Sequence, residues 1–538
     1  MTSPDNPEAP SPAEAAHAGV GRHAFLVAAG IFLSRIAGLV RERAIAHFLG
    51  NSFAADALRG ALRIPNILQN LFGEGVLSAS FIPVYARLVA QGEAEKEEAG
   101  RVAGAVFSLL SLVVAVLVLA GVLATPLFVD AIVPGFHGET RTLTIQLVRI
   151  LFPGVGLLVM SAWCLGILNS HRRFFLSYAS PVVWNGAIVG ALLLFRHSDM
   201  ARLSVYAAWG SVVGSGLQVA VQLPVVLKLA PALRLFLGSG NQNVRIVIGN
   251  FVPVFISRGV FQLSAYVDQI LASFLPTGAV STLSLAQALY MLPVSLFGMS
   301  ISAAELPAMS SALGSDEQIS ETLRSRISAS TKRVAFFVVP SAVAFLALGD
   351  VIAAAIYQSG KFTRSDSVWA WGVLAGSGVG LVASTVGRLY SSAYYALRDT
   401  RTPVRFAILR VVLTTALGYF SALPLPKLLH IDPRWGVAGL TASAGFAAWV
   451  EFLLLRRGMN RRIGRMEFPV AYFARLWASA MAAAALAWGM KLWLHPQQPQ
   501  VAAALILIPY GGVYMGLTAL FGVDQARALV RRVLRVFL

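Results

Sequence analysis

Two things are scarce in this chain: charge and cysteine. Only 13% of the 538 residues are charged, against about a quarter in ordinary soluble domains. Hydrophobic residues make up 57%, and the mean hydropathy is +0.70. That balance does not fit a water-soluble globular fold. Cys164 is the one cysteine, which excludes an intramolecular disulfide and a cysteine metal site; it reads as a small core residue. The eight histidines show no ligand spacing. There is no phosphate-binding glycine loop, no nucleophile elbow and no pair of catalytic carboxylates in a loop, so the chain reads as no enzyme, with no cofactor and no metal. Residues 1–20 lack an apolar core and are rich in Pro, Ala, Ser and Glu; a disordered tail over 1–22 is expected rather than a signal peptide.

What is present instead is a series of apolar runs of about 20 residues, the length that crosses a bilayer as helix. Fourteen such spans are expected, from 24–48 and 54–86 through 246–273 to 471–492 and 501–522. The fold class is therefore all-α: a polytopic membrane protein with fourteen transmembrane helices in a phospholipid bilayer. With a cytoplasmic N-terminus, 26 of the 43 Lys and Arg residues fall in cytoplasmic tails and loops and eight on the opposite side. That asymmetry obeys the positive-inside rule with both ends in the cytoplasm. The net charge of +18 is thus an orientation signal, and no nucleic-acid partner is implied.

An internal repeat organises the spans. Phe48, Pro65, Phe72 and Pro83 recur as Phe274, Pro293, Phe297 and Pro307. The basic loop LNSHRRF from Leu168 answers ALRDTRTP from Ala396. All five offsets lie within a few residues of one another, and six spans separate equivalent points. Two six-helix lobes in parallel repeat follow, over 23–230 and 240–457, with two extra helices over 470–523 and a basic tail over 524–538. In transporters built this way the substrate site lies at the repeat interface.

Nine arginines remain inside the spans, and an arginine at the bilayer centre costs about 2.5–3.5 kcal/mol. Four charges, Arg35, Arg41, Glu42 and Arg43, crowd the first span. A loop after a helix ending at Val40 is a second reading of Arg41–Arg43, but it puts Arg-Glu-Arg on the outer side, against the charge rule. On the second span, Asp56, Arg59, Arg63, Asn66, Asn70 and Glu74 fall within about 80° of one another on a helical wheel. The stripe is about 27 Å long at 1.5 Å per residue, so it must face water or polar partners. A structural seam of ion pairs is the competing reading. Asp268 and Arg258 in the seventh span are further candidates.

The segments SRIAGLVRE (34–42), ADALRGALRIPNILQNLFGEGVLSASFIPVYA (55–86), ILNSHRRFFLSYASPVVWN (167–185) and YALRDTRTPVRFAI (395–408) together resemble the MurJ (MviN) family. These are the bacterial lipid II flippases of the multidrug/oligosaccharidyl-lipid/polysaccharide exporter superfamily. The resemblance runs from about residue 25 to 520. It implies two lobes forming a V around a central cationic cavity that opens alternately to each side of the inner membrane, and a hydrophobic groove for the polyprenyl tail on the last two helices. Lipid II, or a related polyprenyl-diphosphate-linked glycan, is the implied partner, with a coupling cation left open and Asp268 its candidate acid.

Carried over residue by residue, Ser34, Arg35 and Arg41 match the family's first-helix serine and arginines. Glu42 and Asp56 match acids, Arg63 a basic position, and Asn66 and Glu74 the asparagine and acid of the second helix. Gln69 and Ala288 stand where the family carries arginines, and Met291 where it carries an acid. Arg258, aided by Arg63, is expected to restore part of that charge. The substrate-binding set is therefore Ser34, Arg35, Arg41, Glu42, Asp56, Arg59, Arg63, Asn66, Gln69, Glu74 and Arg258. The alternatives are a flippase of another such glycan or a cation-coupled multidrug exporter of the same superfamily. A membrane glycosyltransferase fits less well, since Asp130, Glu139, Asp366 and Asp432 are scattered over the outer loops. A non-transporting scaffold would explain Gln69 and Ala288.

Overall fold

The computed structural model describes residues 12–234, 240–264, 266–311, 315–494 and 498–537, and among them it holds no β-strand. The principal helices are α1 (Pro12–Leu49), α2 (Phe53–Phe72), α3 (Glu93–Leu123), α4 (Gly138–Ser170), α5 (Pro181–Leu194), α6 (Met200–Leu229), α7 (Gln242–Ser264), α8 (Ala279–Pro293), α9 (Asp316–Tyr357), α10 (Arg364–Ala396), α11 (Arg401–Ala422), α12 (Gly436–Ile463), α13 (Val470–Trp493) and α14 (Pro499–Leu520). Shorter helical pieces lie between them. Among the described residues, twelve segments are long and apolar enough to cross a membrane, not fourteen. The first and seventh expected spans fall on α1 and α7, which are helical but outside those twelve.

Local chemistry starts and stops these helices. Ser315 and Gln318 form a capping box at the start of α9, and Thr363 and Asp366 form one at the start of α10, so the first N–H groups of each are satisfied. The ends of α4 and α10 close with one motif. Arg172 and Arg398 both adopt φ 57°. The next N–H reaches back to a carbonyl five residues earlier, Arg173 to Leu168 at 2.8 Å and Asp399 to Tyr394 at 2.9 Å. This is a Schellman cap with arginine where glycine is usual. The two helices have 33 residues each, and Gly138 to Arg364 and Ser170 to Ala396 are both steps of 226. The repeat read from prolines and phenylalanines is thus matched in helix length and in cap geometry.

By contacts the chain forms two compact units that do not follow covalent order. The first comprises the chain up to Ile45, Gly60–Ala131 and His137–Leu263; the second comprises Ala46–Arg59, Ile132–Phe136 and Ser264 onward. Helix α7, which the repeat assigns to the second lobe, therefore groups with the first unit. The short segment 46–59 groups with the second.

In the first unit α4 is central. Trp163, Cys164 and Ile167 are buried in a cluster that takes in Phe81, Tyr85 and Val106. The Trp163 indole donates to the Ala103 carbonyl at 3.2 Å. A buried polar chain ties α4 to α6: Gln218 Nε2 donates to Ser161 Oγ at 2.8 Å, Ser161 Oγ to Gln222 Oε1 at 2.8 Å, and Gln222 Nε2 to Ser180 Oγ at 2.6 Å. With no water in the hydrocarbon layer, such groups must find each other.

In the second unit α10 is central, packed between α9 and α12. The crossing with α12 is so close that a Cβ on Gly380 would strike the backbone of Gly445, so only glycine allows it. Helices α13 and α14 lie on α9. Pro340 lies inside α9 and has no N–H for the carbonyl of Phe336. The Tyr514 hydroxyl donates to that carbonyl at 2.7 Å, and Tyr510 donates to the Pro340 carbonyl at 2.7 Å.

Candidate functional site

Helix α1 runs unbroken to Leu49, so Arg41–Arg43 lie within a helix and not in a loop after Val40. Their neighbours in the first unit explain how charge is tolerated. The Arg41 Nη2 donates to Glu42 Oε1 at 2.6 Å. Its guanidinium carbon sits 4.8 Å from the centre of the Trp184 ring, within cation–π range. Trp184 is fixed in turn, its indole N–H donating to Ser211 Oγ on α6 at 3.0 Å. Gly214 makes room for that contact, since a Cβ there would lie 2.9 Å from the Trp184 carbonyl oxygen. The buried Nε–H of Arg41 has no protein acceptor. Ser34 is half-buried on the same helix and Arg35 is exposed.

The stripe on α2 divides in two. In the first unit its C-terminal part is open to varying degree: Arg63 and Gln69 are half-buried, and Asn66 and Asn70 are exposed. Its N-terminal part, which belongs to the second unit, is covered. Asp56 is 3% exposed and Arg59 4%. The Asp56 carboxylate accepts from the backbone N–H of Gly278 at 2.6 Å and of Ser281 at 2.7 Å, and so caps the N-terminus of α8. Arg59 Nε donates to Ser281 Oγ at 3.1 Å. Of the two settings expected for this stripe, water or polar partners, its first two members have polar protein partners, because the free N–H groups of a helix start suit a carboxylate.

Asp268 is half-buried in the short helix Val267–Ser273. Glu74 and Arg258 lie in helices, but their side chains are outside the described residues. On α8, Ala288 is half-buried and Met291 is exposed, so the two positions that depart from the family pattern offer no charge on an accessible helix. Sequence reasoning missed Trp184. It stands inside one of the quoted motifs, where its only signal was an indole on an otherwise aliphatic span.

The family model described as lipid II flippase MurJ matches residues 45–507. A relative from Burkholderia cenocepacia named lipid II flippase MurJ is 30% identical over 515 residues, covering 92% of this chain and 96% of its own length. A probable lipid II flippase MurJ from Rickettsia prowazekii is 29% identical over 437 residues, covering 81% and 82%. Among solved structures, a lipid II flippase MurJ in an inward closed conformation matches with a TM-score of 0.75 at 23% identity, covering 93% of this chain and 99% of that one. An inward-facing multidrug transporter of the MATE family matches with 0.61 at 16% identity, covering 80% and 95%, which is likeness of fold alone.

Proposed function

The chain belongs to the MurJ family of lipid II flippases, and from that premise we propose that it carries lipid II across the bacterial inner membrane by alternating access, with Arg35, Arg41 and Arg63 gripping the diphosphate. Arginine suits this task because its planar fork bonds two oxygens at once and keeps its charge at every working pH. The prolines and glycines of the repeat give the helices places to bend, and the polyprenyl tail runs along α13 and α14, whose outer faces expose Met481, Leu486, Leu505 and Ile508. Both ends of the chain lie in the cytoplasm on this reading, as the distribution of Lys and Arg requires.

The observation that carries the proposal is Arg41. It is held by Glu42 on one side and Trp184 on a face, yet one buried N–H donor is unspent. Leaving such a donor unpaired costs about 1–3 kcal/mol, which an anionic oxygen returns. A structural seam would have spent it. The cation-coupled exporters share the fold but call for acids facing a cationic drug, and the exposed polar groups described on α1 and α2 here, Arg35, Asn66 and Asn70, are basic or neutral, while Glu42 is paired with Arg41.

The test is rescue of a strain depleted of its own flippase, with the sidedness of lipid II measured in its membranes. The unaltered chain is expected to restore growth and outward lipid II. Arg41→Ala is expected to abolish both at equal expression, and Arg41→Lys to retain a fraction, since it keeps charge without the fork. Full rescue by Arg41→Ala would overturn the assignment.

A further inference from the structure

We propose a second, separate anion site: a pocket at the inner end of α12 that binds the phosphate of an anionic phospholipid, specifically one with a hydroxyl-bearing headgroup such as phosphatidylglycerol. The pocket has a volume of about 760 Å³. Its walls include Arg456, Arg457, Arg461 and Arg465, with Glu467 and Leu453 on the same lining.

The pocket is built, not a chance crowding of a basic loop. Gly464 at φ 89° reverses the chain as α12 ends, a conformation open to glycine alone. The returning segment 465–468 then faces the last turns of the helix. Asn460 Oδ1 accepts from the Met466 N–H at 3.4 Å, and Arg456 Nη2 donates to the Met466 carbonyl at 3.4 Å. The Arg456 guanidinium lies 4.7 Å from the Phe468 ring centre, and Phe468 stacks on Phe473 of α13 at 4.6 Å.

The charges are uncompensated. Neighbouring Arg462 serves structure: it pairs with Asp399 at 2.5 Å and lies over Tyr394. None of the four pocket arginines forms an ion pair among the described residues. Four guanidiniums against one carboxylate favour an anion. Leu453, 54% exposed, provides an apolar surface beside them, which a soluble anion does not use and an acyl chain does. Glu467 accepts hydrogen bonds from the glycerol hydroxyls of phosphatidylglycerol, whereas the choline cation of phosphatidylcholine, though attracted by that one carboxylate, is repelled by the four guanidiniums. Positive charge places this end of α12 at the cytoplasmic leaflet, where basic pockets between helices hold acidic headgroups.

The experiment titrates the full-length protein in detergent with dioleoyl phosphatidylglycerol and, separately, dioleoyl phosphatidylcholine, counting bound lipid by native mass spectrometry. Phosphatidylglycerol is expected to bind at least about tenfold more tightly. Replacing Arg457, Arg461 and Arg465 together by Gln is expected to weaken it on the order of 100-fold, while Arg401→Gln with Arg405→Gln, a basic pair at the start of α11 and outside the pocket lining, leaves it unchanged. Should the triple variant not fold, Arg461→Gln alone carries the test, with an expected loss of about fivefold. Equal binding of the two lipids, or no loss in either pocket variant, overturns the proposal. So does displacement of phosphatidylglycerol by an equal concentration of inorganic pyrophosphate, which would make this a site for soluble anions. None of these outcomes touches the flippase reading, which rests on α1 and α2.

Discussion

Arg41 meets an acid and an aromatic face, and its buried Nε–H has no protein acceptor. The contact with Trp184 is the part of that setting that can be removed without altering any charge. A cation–π pair shielded from water contributes about 1–2 kcal/mol, and here it also fixes the plane in which the guanidinium presents its fork. Trp184→Leu is expected to lower flipping about tenfold at equal expression, and Trp184→Phe, which keeps a ring face, to recover most of it. A merely structural role would show as parallel loss of thermal stability in both variants, so melting temperature is measured alongside lipid II sidedness. The charges themselves were legible from composition, since four of them in an apolar run demand an explanation. Their partners were not. Arg41 and Trp184 are 143 positions apart, and no periodicity connects a residue to a neighbour on a different helix.

Helix boundaries show a similar division. The spans, the prolines inside them and the paired basic loops were all visible in the sequence, and the equal lengths of α4 and α10 agree with the repeat. That both loops close with arginine in the left-handed region was not visible, because nothing in His-Arg-Arg-Phe or Leu-Arg-Asp-Thr marks the turn as glycine would. The sequence also shows Pro340 but not what repairs it. Proline withholds an N–H from the Phe336 carbonyl, and in the bilayer no water takes its place. Tyr514 supplies the missing donor from α14 at 2.7 Å. Tyr514→Phe removes that hydroxyl and almost nothing else. We expect a loss of about 0.6–1.7 kcal/mol, the range for hydrogen bonds between membrane helices, read as a lower midpoint for unfolding in mixed detergent. If the midpoint does not move, the Tyr514 bond adds nothing to what packing and the Tyr510 bond already supply between α14 and α9.

At the scale of the molecule, covalent order and spatial grouping disagree, and α2 is where they part. Its first turns group with the second unit and the rest with the first, the boundary falling between Arg59 and Gly60. The repeat could not reveal this, since it orders residues along the chain and is blind to a helix that serves both units. What seats the segment 46–59 in the second unit is a set of hydrogen bonds, three of them involving backbone: Asp56 accepts from the N–H groups of Gly278 and Ser281, the Lys361 N–H donates to the His47 carbonyl at 2.8 Å, and Asn51 Nδ2 donates to the Asp366 carboxylate at 3.1 Å. Asp56 dominates, because a carboxylate taking two N–H bonds at a helix start in a dry setting is the strong case for both hydrogen bonding and the helix dipole. Asp56→Ala leaves those donors unpaired at a cost of about 2–4 kcal/mol, whereas Asp56→Asn keeps one acceptor oxygen and should lose about half as much. The loss must be local if the grouping is right. In hydrogen exchange followed by mass spectrometry, amides of 46–59 should exchange faster in Asp56→Ala, and those of 60–72 on the same helix should not. Equal acceleration on both sides of Gly60 would mean that α2 moves as one body, and that the division of the chain at that point has no energetic meaning.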